Sequence, residues 1–508
     1  MAPTPTAPAA AGAAETVRVP ITVDLGTPVG VADPRLFGSF VEHLGRSVYG
    51  GLYDPADPSS TPEGFRADVL DLVAELGVTV VRYPGGNFVS GYDWHDGVGP
   101  REQRPRRLDL AWKSIETNEF GTDEFIAWCR AAGVEPMLAV NLGLGDLRSA
   151  LHLLEYANHP SGTALSDERV GNGAADPHDV RLWCLGNELD GPWQLGFRTA
   201  EGYAEVAAQA ATAMRMFDDT LELVAVGSSN ADMPTFGAWE DTVLDRTVEL
   251  VDYLSCHIYF YNDGDLAAFV RSAETLDAFL DDIAGRIRRA KEAHPAARDV
   301  RISLDEWNVW NYRAYDDLKP ERRFEQHPRL LEEEYTLADA VVVGSLLQSI
   351  LRHADVVGIA ALAQLVNVIG PIRAEPGGPA WRQTTFHPFA AAARSAGHTV
   401  LATRSPEGSD VGTTVTLSPD ATTVEVMLTN RSLSTAAVAS LDVAALGAWR
   451  IDRVDALWDD DPLAANTEAD PERVVPRAVP AGLRDGLLTV ALPPLSWAAV
   501  RLDCTKGP

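Results

Sequence analysis

Between residues 36 and 368, short apolar runs alternate with longer amphipathic stretches, a rhythm that restricts the chain to βα units around a parallel sheet. The runs are LFGSFVEHL (36–44), VTVVRYPGG (78–86), EPMLAVNLG (135–143), VRLWCLGNE (180–188), LELVAVGSS (221–229), VDYLSCHIY (251–259), VRISLDEWN (300–308) and VVGIAALAQLVNV (356–368). The intervening stretches, such as GFRADVLDLVAELG and ETLDAFLDDIAGRIRRAKEAH, repeat apolar residues at spacings of three and four, as helices do. Eight strands joined by helices predict a closed (β/α)₈ TIM barrel rather than an open doubly wound sheet. No dinucleotide fingerprint or phosphate loop follows the first strand, which further disfavours the open sheet.

The flanks have a different period. TVRVPITVDL, near the start, alternates like a half-exposed strand and then breaks at Gly-Thr-Pro. Beyond about residue 390 the helical period gives way to alternating segments punctuated by Pro, Gly and Asp, as in an antiparallel β-sandwich. The early strand has no place in the barrel and is expected to join this sheet. The expected division is therefore a disordered tail over 1–15, an N-terminal strand of the sandwich over 16–32, a catalytic barrel over 33–390 and a C-terminal β-sandwich over 391–508.

Composition narrows the function. With 46% hydrophobic and 23% charged residues the 508-residue chain is an ordinary globular one, long enough for two cores. Its 73 acidic against 42 basic residues give a formal charge of −31, which repels phosphate backbones and anionic membranes. Nucleic acid is not an expected partner. The start lacks the basic and apolar regions of a signal peptide, no apolar run reaches bilayer length, and the four cysteines form no CxxC pair. These features lead us to expect a cytoplasmic protein without a membrane partner.

In a barrel of this kind, side chains at the C-terminal strand ends share one mouth. Read in order, those ends offer Glu42 and His43, Asn87, Asn141, Asn187 and Glu188, Ser228 to Asn230, His257 and Tyr259, Asp305 and Glu306, and Gln364. Carboxylates, amides and aromatics dominate, with almost no Lys, a set suited to neutral polyols. Any one of these acids alone reads as a solvated loop start. Glu188 and Glu306 in matching positions on non-adjacent strands read as the pair that glycosidic cleavage requires. Trp183 and Trp193 near Glu188 suggest an apolar setting that favours a protonated acid/base, whereas His257 or Tyr259 could keep Glu306 ionised as a nucleophile. Asp305 competes with Glu306 for that role, because neighbours along a strand point opposite ways.

At these residues the sequence resembles a known family. FVEHLGRSVYGGLYDP, VRYPGGNFVSGYDWHDGVGP, AWKSIETNEFGTDEF, WCLGNELDGPWQLG, SCHIYFYN and LDEWNVW are similar, in order across the whole barrel, to the α-L-arabinofuranosidases of glycoside hydrolase family 51. The C-terminal part resembles that family's sandwich in pattern only. The resemblance implies a retaining, exo-acting hydrolase of arabinose-containing oligosaccharides, with no metal or organic cofactor and often a hexameric assembly. It makes Glu188 the acid/base and Glu306 the nucleophile. It puts Glu42, Asn87, Asn187, Tyr259 and Gln364 at the furanose, His257 in a supporting position, and Trp112 and Trp310 near the leaving group.

Other readings of the residues alone remain: an endo-acting β-glycanase on the same scaffold, a sugar-binding barrel without activity, and a divalent-metal enzyme with His257 as ligand. For the last, no second His lies at i+2 or i+4 of His257. Glu42 and His43 would instead form a barrel-bottom pair if the first strand ran the other way. Trp112 and Trp310 could be ordinary core aromatics.

Overall fold

The computed structural model describes residues 16–318 and 323–505, so the expected disordered tail over 1–15 lies outside the described residues. The first strand, β1 (Thr16–Val31), precedes eight barrel strands. These are β2 (Gly38–Phe40), β3 (Val80–Tyr83), β4 (Glu135–Ala139), β5 (Leu182–Cys184), β6 (Glu222–Ala225), β7 (Tyr253–Phe260), β8 (Arg301–Val309) and β9 (Val357–Ala363). Six lie inside the apolar runs, and β7 and β8 each extend one residue beyond theirs. Among the described residues they form a closed barrel in sequence order, every neighbour parallel, with β9 pairing back onto β2.

Helices cover the barrel because their apolar stripes have one place to go. In Ala67–Leu76, Val69, Leu72, Val73 and Leu76 are buried, and Gly77 ends the helix in the left-handed region with its N–H on the Val73 carbonyl. Thr199 caps Ala200–Phe217 by accepting from the Gly202 N–H. These faces and the outer face of the strands make one continuous core.

The barrel interior is filled in layers rather than open. At the N-terminal end the Arg35 guanidinium binds the carboxylates of Glu135 (2.6 and 2.7 Å) and Glu222 (2.7 and 2.9 Å). Above this ionic plug sits an apolar layer that includes Met137, Leu182, Val224 and Ile359. Polar groups such as Ser255, Ser303 and Arg82 reappear above it. The floor of the barrel is thus closed by an ionic plug and an apolar layer.

The C-terminal strands are β10 (Thr399–Arg404), β11 (Val411–Leu417), β12 (Thr423–Asn430), β13 (Ala436–Asp442), β14 (Trp449–Leu457), β15 (Ala481–Arg484), β16 (Leu487–Leu492) and β17 (Ser496–Cys504). With β1 they form a nine-stranded array ordered β14-β17-β12-β11-β10-β1-β13-β16-β15 around a second core. β1 joins this domain, as its isolation in the sequence predicts. One feature departs from a purely antiparallel sandwich: β1 runs antiparallel to β10 through Thr22–Val31 but parallel to β13 through Thr16–Ile21. Register shifts between Asp24 and Gly30 bend this long strand, so its two halves serve the two leaves. The expected boundary at 390 falls inside the helix Phe386–Ala393, which packs on the barrel helices Ala67–Leu76 and Leu337–Arg352. No helix among the described residues is long and apolar enough to cross a membrane.

Candidate active site

The Gly-Asn-Glu that follows β5 is a sharp backbone reversal. Gly186 has φ 103°, and Glu188 itself has φ 42°, in the left-handed region that non-glycine residues rarely occupy. Such strain persists only where surroundings over-determine it, and here it aims Glu188 into the mouth. The Glu188 Oε1 lies 2.9 Å from His257 Nδ1, and Oε2 accepts the Trp193 indole N–H at 2.8 Å. Trp183, by contrast, turns into the core and donates to the Val180 carbonyl. The expected apolar setting is thus a hydrogen-bonded one, with only Trp193 of the two tryptophans at the carboxylate.

Glu306 lies within β8 rather than beyond its end. Ser303 pairs with Ser255 and Glu306 with His257, so β8 has one more residue than β7 over this step, and the β9 side shows a matching shift from Leu304 to Trp307. This bulge breaks the alternation that sets Asp305 against Glu306: both carboxylates reach groups of the barrel interior. Asp305 meets His257 Nε2 at 3.1 Å and Arg82 Nε at 3.5 Å. Glu306 accepts from Arg82 at 2.8 Å through Oε1 and from the Tyr259 hydroxyl at 2.8 Å through Oε2.

Arg82, at the centre of VVRY, is the residue the strand-end reading missed. It is 1% exposed, and its guanidinium also donates to Asn187 Oδ1 at 2.5 Å. A buried cation gripping one carboxylate and approaching a second fixes the orientation of Glu306. His257 completes the bridge between the two glutamates. Burial alone would lower its pKa, but the charge of Glu306 and the hydrogen bonds to Asp305 and Glu188 outweigh this and lift it well above the usual histidine value. The imidazolium donates to both Asp305 and Glu188. One donor atom from each of Glu188, His257 and Glu306 lies within 4.8 Å of the others.

Glu42, two residues past β2, shares the mouth, which excludes the barrel-bottom reading. Its Oε1 accepts from the N–H groups of Gly86 (3.1 Å) and Phe88 (2.8 Å) and from the Trp112 indole (2.9 Å), while Oε2 accepts from Gln364 (3.2 Å). Burial pushes this carboxyl up to about 8, against the lowering effect of the Phe88 and Trp112 donors and with a further push from Glu306. The bend Gly85-Gly86 must lack side chains: a Cβ on Gly86 would lie 2.8 Å from Glu306 Oε1 and 3.3 Å from Asn187 Nδ2.

The other predicted residues fall into two groups. Asn187 Nδ2 is buried without a hydrogen-bond partner among the described residues, leaving a donor beside Glu306. Asn87 is half-buried on the loop after Gly86. Trp310 packs edge-on against Tyr259 with centroids 5.0 Å apart, and Trp112 is the Glu42 donor. Three strand ends do other work. His43 turns away to Tyr83 (2.8 Å) and Glu116 (2.9 Å), Asn141 accepts from Gly143 and Gly145 in its own loop, and Ser229 binds Asp190.

Glu188, His257 and Glu306 also have the spacing of a metal-ligand group. Both Glu306 oxygens are already engaged, one by the Arg82 cation, and a protonated His257 has no lone pair to offer. The donor set suits a protein-held proton better than a cation.

Comparison with known proteins shows the family. Residues 72–279 match the model described as the α-L-arabinofuranosidase 1 domain, and residues 305–496 match the α-L-arabinofuranosidase C-terminal domain. The chain is 51% identical over 493 residues to an intracellular exo-α-(1→5)-L-arabinofuranosidase of Streptomyces lividans, covering 94% of this chain and 74% of the relative. It is 47% identical to an exo-α-(1→6)-L-arabinofuranosidase of Bifidobacterium longum, covering 95% and 97%. The solved structure of a family 51 α-L-arabinofuranosidase from Bifidobacterium longum superposes with a TM-score of 0.93 at 44% identity, covering 96% of this chain and all of that one. The chain belongs to glycoside hydrolase family 51, the α-L-arabinofuranosidases.

Proposed function

We propose that this chain is a retaining, exo-acting α-L-arabinofuranosidase that removes terminal arabinofuranosyl units from arabino-oligosaccharides and from fragments of arabinan or arabinoxylan. The observation that carries the mechanism is the approach of Glu188 and Glu306 to within 4.8 Å. That upper limit is compatible with the ~5–5.5 Å of retaining glycosidases and falls short of the ~6.5–9.5 Å that leaves room for a water between the acids. The exo mode and the sugar are supported by family membership and by the names of the relatives.

In this reading Glu188 protonates the glycosidic oxygen as that bond breaks, and Glu306 forms a bond to the anomeric carbon, giving a covalent arabinosyl-enzyme. Arg82 and Tyr259 keep the attacking carboxylate oriented. The ionised Glu188 then takes a proton from water, whose oxygen displaces Glu306, and two inversions restore the original configuration. His257, held between Glu188 and Asp305, keeps a proton beside Glu188 through the cycle. Glu42, Asn87, Asn187 and Gln364 bind the furanose hydroxyls, and Trp112 and Trp310 pack against its carbon face and the leaving group. The chemistry uses protein side chains alone and requires no cofactor.

The test follows the anomer of arabinose first released from an aryl α-L-arabinofuranoside by proton NMR. Retention is expected. With azide, Glu188→Ala is expected to give the α-arabinosyl azide and Glu306→Ala the β-anomer. Inverted initial product, or full turnover by either variant, overturns the mechanism. The relatives' names divide between α-(1→5) and α-(1→6) linkages, and side-by-side rates on linear and branched oligosaccharides assign the preference. A cytoplasmic location is supported by the S. lividans relative's being named intracellular and by four free cysteines, three of them buried. A hexameric assembly is part of the same reading, and its mass by light scattering checks it.

A further inference from the structure

Beyond the two glutamates, a run of aromatic rings leads out of the mouth on the β7–β8 side. Tyr259, whose hydroxyl sits on Glu306, meets Trp310 edge-on at 5.0 Å between centroids. Trp310 in turn lies 6.1 Å from Tyr312, and Tyr312 meets Tyr261 at 5.0 Å with an interplanar angle of 79°. The Arg313 guanidinium stands 5.0 Å over the Tyr261 ring. Tyr261 is thereby braced on an edge and a face. Tyr312 is left 38% exposed at the end of the run.

An exposed tyrosine at a protein surface is ordinary by itself. This one is held by two neighbours and continues, ring by ring, from the residue that orients Glu306. Successive rings at spacings comparable to a sugar unit offer one apolar platform per unit, because the C–H faces of sugars pack on aromatic faces while their hydroxyls stay solvated.

We propose that Tyr312, braced by Tyr261 and Arg313, forms a distal subsite that stacks the second sugar on the leaving-group side of the scissile bond. The proposal rests on the arabinofuranosidase reading and names the substrate it favours: oligosaccharides of at least three units over disaccharides and aryl glycosides. Trp310 serves the first leaving-group unit and Tyr312 the next. The Tyr312 subsite contributes to binding and takes no part in bond cleavage, so its effect falls on KM for long substrates.

The experiment compares kcat and KM of the wild-type chain, Tyr312→Ala and Tyr312→Trp on an aryl α-L-arabinofuranoside, an arabinofuranosyl disaccharide and the matching trisaccharide. For Tyr312→Ala, kcat/KM on the trisaccharide is expected to fall about five- to tenfold, mostly through KM, as loss of one stacking contact implies. The same variant should stay within twofold of wild type on the two shorter substrates, which also shows that it folds. Tyr312→Trp should restore the trisaccharide rate. An equal loss on all three substrates, or no loss on the trisaccharide, overturns the subsite. Failure of the wild-type chain to cleave any of the three would instead overturn the activity on which the subsite depends.

Discussion

The buried Glu42 gives the most quantitative prediction. Its carboxyl is 2% exposed and titrates near 8 instead of 4.5, so the folded chain holds a proton there that the unfolded chain releases. For an acid with a raised folded-state pKa, stability falls as pH rises from the unfolded value to the folded one and is level beyond it. A rise from 4.5 to about 8, at ~1.4 kcal/mol per unit, is about 5 kcal/mol lost between those limits. Glu42→Gln carries a permanent neutral amide of the same shape, keeps an oxygen for the Gly86, Phe88 and Trp112 donors, and does not titrate. At ~2 cal/mol/K per residue, unfolding entropy for a chain of this size is about 1 kcal/mol/K, so the stability difference appears as about 5 °C in melting temperature. Melting both proteins by calorimetry between pH 5 and 8.5 should show Glu42→Gln near wild type at pH 5 and about 5 °C above it at pH 8, with a plateau beyond. Other titrating groups cancel in the difference. A difference that does not change with pH, or a variant that loses ground as pH rises, would refute the assignment of a neutral Glu42.

Three further substitutions test the mouth. Arg82→Met should lower kcat on an aryl arabinofuranoside by about 10²-fold or more, as removal of a preorganised donor does, and Arg82→Lys should not restore it, because an ammonium cannot serve Glu306 and Asn187 as a fork. Asp305→Asn removes one of the interactions that lift His257, so the alkaline limb of the kcat/KM profile should move to lower pH; an unmoved limb would separate His257 from the proton inventory. Gly86→Ala pushes a methyl against Glu306 and Asn187 and should cost about 10²-fold in kcat while the melting temperature changes by only a few degrees, read by steady-state kinetics and calorimetry together.

The barrel was readable in the sequence because central parallel strands are buried on both faces and appear as unbroken apolar runs, each ended by a polar group. Glu188, Glu42 and Gln364 lie just past such ends and Glu306 lies within β8, and the structure gathers them around one opening. Arg82 escaped notice for the opposite reason. It sits inside the run VVRY, where a lone cation looks like an exception rather than part of a site, and its partners are more than a hundred residues away. Asp305 was set against Glu306 by the alternation rule, which holds only for an unbulged strand, and the extra residue in β8 is defined by its pairing with β7 and β9. The role of Trp193 depends on a loop conformation that periodicity does not encode. The parallel pairing of β1 with β13 is likewise a matter of topology, since alternation reveals a strand but not its direction.

That first strand has a consequence for how the molecule is made. All the partners of β1 belong to residues 399–442, so on the ribosome its unpaired backbone must wait while the whole barrel is synthesised. The C-terminal globule is then not a contiguous piece of polypeptide, although the barrel is: cutting the chain at the end of the barrel would leave the later strands without the segment that joins their two halves. A nascent chain of this kind completes its last domain by recruiting its oldest segment, and any holdase acting on it would be expected to find that segment first.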